Sequence, residues 1–218
     1  MVIVGLTGSI GMGKTTAAMM LQRMGVPIHS SDAAVHRLLG PGGAAVGPVG
    51  RAFPGVVHDG AVDRRALAER VFGRPDALRR LEAIVHPLVR AAQNRFLACA
   101  ATHHARIVVL DIPLLFETGA DRRVDATICV TAPVFLQRQR VLARPGMTVT
   151  RLEAIRQAQM ADATKRRRAD FVVQTGSGRA FTRRRLRAVI RHLRLCHGRH
   201  WPLPGYLSPG PGMKGMES

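Results

Sequence analysis

Residues 8–15, Gly8-Ser9-Ile10-Gly11-Met12-Gly13-Lys14-Thr15, satisfy G-x-x-x-x-G-K-[ST] at every fixed position, and Thr16 follows. A loop that wraps phosphates must turn successive backbone N–H groups inward, which needs dihedrals and close approaches that glycine permits. Lys14 then reaches the terminal phosphates and Thr15 sets its hydroxyl on Mg²⁺. The alternative is an ordinary glycine-rich turn between a strand and a helix. A dinucleotide fingerprint fails, because Gly11 and Gly13 would require a third glycine where Thr16 stands. Two acids accompany the motif. Asp32 either takes a proton from an acceptor hydroxyl, holds Mg²⁺ through water, or caps the helix that follows it. Asp111 ends the apolar run VVLD, as a metal-holding acid or as a strand-end cap. Arg140 and Arg144 lie one helical turn apart, where two guanidinium groups would grip a transferred phosphate or simply face water.

Elements able to position these residues follow from hydrophobic periodicity. VIVGLT (2–7), VPIHS (26–30), RIVVLDI (106–112), DATICVTA (125–132) and DFVVQT (170–175) read as strands. Helices are expected over 14–24, from Asp32 to Leu39, over 64–72, 76–102, 134–144, 150–165 and 179–195. The last is amphipathic through Leu186, Val189, Ile190 and Leu193. The pair His86-Pro87 should break or kink the helix over 76–102. GPGGAAVGPVG (40–50) reads as loop, and residues 197–218, rich in Pro and Gly, as a disordered tail. Strands alternating with helices imply an α/β fold whose parallel sheet is covered on both faces.

Composition narrows the classes further. No apolar run is long enough to span a bilayer, so no membrane association is expected. The N-terminus does not read as a signal peptide. Cys99, Cys129 and Cys196 are widely spaced and form no CxxC pair, which argues against a disulfide framework or zinc site and suits a reducing cytoplasm. The formal charge is +19, and residues 165–199 carry twelve Lys or Arg against one acid, Asp170. Such a field draws polyanions, whether nucleic acid or a small substrate with several phosphates.

VGLTGSIGMGKTT, DAAVHRL, LEAIVHP, VVLDIPLLFETG and ADFVVQTG occur in an order and at distances that resemble the dephospho-CoA kinase family over residues 1–195. The segment DIPLLFE, with His86-Pro87 and the position of Asp32, is more specific than the P-loop, which many families share. The resemblance implies a P-loop NTPase-type parallel sheet flanked by helices in one kinase domain (1–196). It also implies a helical acceptor-binding insert at about 60–104 and a lid at about 145–168. The implied reaction moves the γ-phosphate of ATP, with Mg²⁺, to the ribose 3′-hydroxyl of dephospho-CoA.

By the same resemblance Asp32 is the base, assisted in catalysis by Lys14 and Arg140. Gly8, Gly11, Met12, Gly13, Lys14, Thr15, Thr16, Arg144 and Gln174 bind the nucleotide. Asp32, His86, Leu114, Leu115, Phe116 and Glu117 bind the acceptor, and Thr15 and Asp111 hold the metal. The chain departs from the family in carrying Ser30-Ser31-Asp32 where Asp-Ala-Asp is usual, and Gln174 where Asp or Asn is usual. Two other readings fit parts of the chain. One is a P-loop kinase for a nucleoside or sugar acid, which would lack DIPLLFE. The other is a basic nucleic-acid-binding NTPase, which would place stacking aromatics among its cations. No specific nucleic-acid partner is expected, since that region holds only Phe171, Phe181 and Trp201.

Overall fold

The computed structural model describes residues 1–202. Five strands form the main sheet: β1 (Val2–Thr7), β2 (Ile28–Ser30), β5 (Ile107–Asp111), β6 (Ala126–Thr131) and β7 (Phe171–Gln174). A hairpin, β3 (Val57–His58) and β4 (Ala61–Val62), stands apart. Helices are α1 (Lys14–Arg23), α2 (Ser31–Leu39), α3 (Val46–Ala52), α4 (Arg64–Val71), α5 (Pro75–Thr102), α6 (Val134–Leu142), α7 (Val149–Ala158), α8 (Asp162–Arg168) and α9 (Arg179–Leu193). A short 3-10 turn covers Ala120–Arg123.

The sheet order is β2-β5-β1-β6-β7, with every neighbouring pair parallel. Its strands read as unbroken apolar runs because both faces are covered. Val2, Val4 and Leu6 pack with Leu21 of α1 and with Leu186 and Ile190 of α9, whereas Ile3 turns to Leu97 and Ala100 of α5. From β1 the chain crosses to β2 and β5 on one side, then to β6 and β7 on the other. The crevice at the carboxyl ends of such a sheet, where strand order reverses beside β1, is where ligands bind in open α/β folds.

A second apolar cluster joins Leu38, Leu39, Val49, Phe53, Val56, Val62 and Leu67 to Leu81, Ile84, Leu88 and Val89 of α5. It explains two departures from the sequence reading. The stretch expected as loop contains α3, formed despite Gly47 and Pro48 because Val49 is fully buried in the cluster. Of the break or kink expected at Pro87, the break does not occur, and α5 continues through it as one helix. Proline there lacks the N–H that would bond the carbonyl one turn back, but apolar contacts on both sides of it hold one helix. The β3–β4 hairpin turns through Asp59 (φ 49°) and Gly60 (φ 73°), the pair of positive dihedrals that an Asp-Gly turn supplies.

Two further expectations are revised. The helix expected over 150–165 is two helices, parted where Glu117 Oε1 accepts the Met160 N–H at 2.9 Å. The tail expected to be disordered from 197 is partly held. Asp125 Oδ1 accepts from the Arg199 and His200 N–H groups, and Trp201 packs on the cluster around Ile3 and Leu97. Residues 203–218 lie outside the described residues.

Candidate active site

The glycine loop leaves β1 at Thr7 and enters α1 at Lys14. Gly13 caps α1 in the left-handed region (φ 87°), and a Cβ on Gly8 would lie 2.7 Å from the Val130 carbonyl oxygen. Both positions therefore demand glycine. The loop is fastened from outside. Gln137 Nε2 of α6 donates to the Ile10 carbonyl (2.8 Å), and the Ile10 N–H donates to Gln159 Oε1 (3.1 Å). Thr175, just past β7, donates its hydroxyl to the Met12 carbonyl at 2.7 Å. The first turn of α1 contains no acid and no side chain caps it. Its free N–H groups and positive dipole end are left for an anion.

A cleft of about 600 Å³ opens over this loop. Its lining carries four cations, Lys14, Arg140, Arg144 and Arg179, against one acid, Asp32, with Thr15, Thr16 and Thr175 between them. Lys14 Nζ lies 2.6 Å from Asp111 Oδ1 at the end of β5. Burial pushes the Asp111 carboxyl above the usual range; Lys14 opposes the shift and the charge of Asp32 adds to it. Arg140 is held in place by donating to the Thr175 carbonyl (3.0 Å), its hydroxyl (3.2 Å) and the Gly11 carbonyl (3.4 Å). Arg144 lines the cleft without such contacts.

Two expected nucleotide residues sit differently. Gln174 is exposed and outside the lining, and its place is taken by Thr175, Arg179 and Thr182. Strand alternation turns Gln174 away while the next residue, where β7 ends, faces the loop. The Met12 side chain is buried, its Sδ 3.1 Å from the Ala132 N–H, so only its backbone serves the loop.

The second cavity, about 640 Å³, lies between α2, α5 and the segment after β5. Val35, Leu39, Leu81, Val85 and Val89 give it an apolar wall, and Asp32, Pro113 and Gln159 belong to both cavities. Asp32 does not cap α2. Ser30 does, its Oγ accepting the Ala33 N–H at 3.2 Å. That leaves the Asp32 carboxylate exposed on the first turn, in the wall common to the two spaces.

His86 and Leu114 line the second cavity as expected. Leu115, Phe116 and Glu117 do not. Leu115 and Phe116 are buried, the first against β1 at Gly5, the second beneath the Arg168 guanidinium at 4.8 Å. An irregular segment after a strand must bury some of its apolar members, and here Ile112, Pro113 and Leu114 line the cavity while Leu115 and Phe116 are buried. Glu117 pairs with Lys165 Nζ at 2.8 Å. Burial works against its ionisation, but Lys165 and the Met160 N–H outweigh it and hold the carboxyl below the usual range. Lys165 is fully buried and also donates to the Pro113 carbonyl at 3.2 Å. In sequence it begins the basic run KRRR and is indistinguishable from its solvated neighbours. Gln159 was equally hidden, because nothing local marks a glutamine that reaches 149 residues back to Ile10.

The family model for dephospho-CoA kinase matches residues 2–180. The chain belongs to the dephospho-CoA kinase family. A dephospho-CoA kinase from Paramagnetospirillum magneticum is 63% identical over 166 residues, 76% of this chain and 78% of that protein. One from Mesorhizobium japonicum is 56% identical over 194 residues, 89% of this chain and 98% of its own. Among solved structures, TT1252 from Thermus thermophilus is 39% identical and superposes with a TM-score of 0.76 over 88% of this chain and 97% of its own. The dephospho-CoA kinase from Campylobacter jejuni, at 24% identity, shares the fold, with a TM-score of 0.66 over 88% of this chain and 96% of that one. Among the described residues no helix is long and apolar enough to cross a membrane.

Proposed function

We propose that this protein transfers the γ-phosphoryl group of ATP to the ribose 3′-hydroxyl of dephospho-CoA, giving coenzyme A and ADP. The observation that carries the reading is the place of Asp32: one carboxylate in the wall common to a cationic cleft over the glycine loop and an apolar-walled cavity beside it. A donor bound in the first space and an acceptor in the second would meet at that residue. Membership of the family supports the choice of substrates.

The cleft suits a triphosphate. Its loop supplies backbone N–H donors, α1 its dipole, and Lys14, Arg140 and Arg144 their charges. Asp32 accepts the proton of the 3′-hydroxyl as that oxygen bonds to the γ-phosphorus. The bond from the γ-phosphorus to the β,γ-bridging oxygen breaks, and its electron pair leaves with ADP. Lys14 stabilises the charge that develops on the transferring group, which is where phosphoryl transfer needs the protein most.

Among the described residues no cluster of three His, Cys, Asp or Glu side chains offers a dedicated metal cage. Mg²⁺ is usually held largely by substrate phosphates and water, with one or two oxygen ligands from the protein. Thr15 and Asp111 would supply those ligands. The bound ion would neutralise phosphate charge. The test is to incubate the protein with ATP, Mg²⁺ and dephospho-CoA and follow the products by mass spectrometry with fragmentation. One added phosphate on the ribose 3′-oxygen is expected, and unchanged dephospho-CoA would refute the assignment.

A further inference from the structure

Two arginines in the acceptor cavity make no ion pair among the described residues, although Asp32 and Glu82 line the same space. Arg90 on α5 and Arg123 at the end of the 3-10 turn both line it, and neither makes an ion pair or hydrogen bond among the described residues. Of the four cations that line the nucleotide cleft, Lys14 pairs with Asp111 and Arg140 is held by Thr175 and Gly11, whereas Arg144 and Arg179 face that cleft; Arg90 and Arg123 are the two arginines of the acceptor cavity. The remaining acid of α5 in this cavity, Glu82, is two helical turns before Arg90, roughly 12 Å along the axis. Burial, and then the charge of Arg90, push the Arg123 guanidinium below its ordinary value. An anion between the two would relieve that repulsion.

Their height in the cavity is fixed by packing. The far end of α2, Leu38 and Leu39, shares an apolar cluster with Leu81 and Ile84 of α5, while His29 of β2 meets Phe96 with ring centroids 5.3 Å apart. The helices α2 and α5 therefore run past each other in opposite senses. Arg90 falls near the start of α2, the level of Asp32, and not at the apolar outer end.

Resting on the functional reading above, we infer that Arg90 and Arg123 form the subsite for the pyrophosphate of dephospho-CoA. In that molecule the pyrophosphate hangs from the 5′-oxygen of the same ribose whose 3′-hydroxyl must reach Asp32. The doubly charged group therefore has to sit close to the reacting atom, yet outside the nucleotide cleft. Two planar guanidinium forks from separate elements match its oxygens and orient the ribose. The subsite also separates dephospho-CoA from adenosine, which presents the same hydroxyl with no phosphate.

Neither side chain belongs to the buried core, so Arg90→Gln and Arg123→Gln should keep the melting temperature of the parent. Dissociation constants for dephospho-CoA and for adenosine, each measured calorimetrically without ATP, test the subsite. Each variant should weaken dephospho-CoA about tenfold or more, the scale of a lost hydrogen bond to a charged group. Adenosine binding and the KM for ATP should stay at the parent values. Equal losses for adenosine and dephospho-CoA would show that the arginines shape the cavity and do not hold phosphate. Unchanged dephospho-CoA binding in variants of an enzyme that phosphorylates it would remove the subsite alone. If the parent enzyme does not phosphorylate dephospho-CoA, the functional reading fails, and the subsite with it.

Discussion

The nucleotide cleft and the acceptor cavity adjoin at Asp32 but are built in opposite ways. The cleft takes much of its lining from one contiguous stretch, Gly8 to Thr16, whose backbone on the proposed function would do most of the binding; Arg140 and Thr175 brace it from elsewhere. The cavity gathers its side chains from α2, α5, the segment after β5 and the 3-10 turn, spread from Ser31 to Gln159. Phosphates are recognised by backbone N–H groups and a helix end, so their site can be short and local. A larger acceptor must be enclosed from several sides, so its site is assembled by the fold.

The contrast predicts graded damage. Lys14→Ala should be the most severe change, because it removes transition-state charge stabilisation and strands a buried Asp111. A loss in kcat of about 10²–10³ is expected. More than a tenth of parental turnover, with the fold intact, would remove Lys14 from the chemistry. Asp32→Asn tests the point where the two spaces meet. Since Ser30 caps α2, the melting temperature should not move, while kcat falls by about 10²–10⁴. An active Asp32→Asn enzyme would leave the two cavities without a common base.

Lys165→Met examines the support behind both spaces. Removing one partner of a buried pair costs about 3–5 kcal/mol, read from denaturant midpoints. A loss below about 1 kcal/mol, the level of an exposed pair, would show that Glu117 is well solvated. Smaller still is the split between Arg140 and Arg144. An ammonium cannot reproduce the three contacts of Arg140, so Arg140→Lys should raise the KM for ATP about tenfold, against a milder change for Arg144→Lys. Equal tolerance would mean that Arg140 only braces Thr175.

The smallest effect belongs to residues 199–202. A chain cut after Gly198 should be less stable than one cut after Pro202 by about 1–2 kcal/mol, the value of a few hydrogen bonds to a charged acceptor. Burial opposes ionisation of Asp125, but donors from Ile3, Arg199 and His200 outweigh it and depress its carboxyl. A depressed carboxyl stabilises fully above its unfolded value and loses that contribution as pH falls through the folded one. The gap between the two truncations should therefore close in acid. Equal melting temperatures at neutral pH would show that the Asp125 contacts carry no weight.

The sequence alone determined the parts whose physics is local. The glycine loop, the buried parallel strands and the amphipathic α9 could be read directly, because backbone sterics and hydrophobic period act over a few residues. The Asp59-Gly60 hairpin, absent from the sequence reading, carries a signal of the same local kind: a left-handed pair between short apolar runs. Tertiary structure decided the rest, in each case because the decisive partner is distant in the chain. Pro87 stays inside a helix, and α3 forms around Gly47 and Pro48, because an apolar cluster outweighs propensity. The DIPLLFE segment turns Ile112, Pro113 and Leu114 to the cavity but none of the three residues after them, because Leu115 and Phe116 are consumed by the core and Glu117 by Lys165. Lys165 and Gln159 gain their roles only when α8 meets the segment after β5 and the end of α7 meets the glycine loop, since burial and a long-range hydrogen bond leave no mark on local composition.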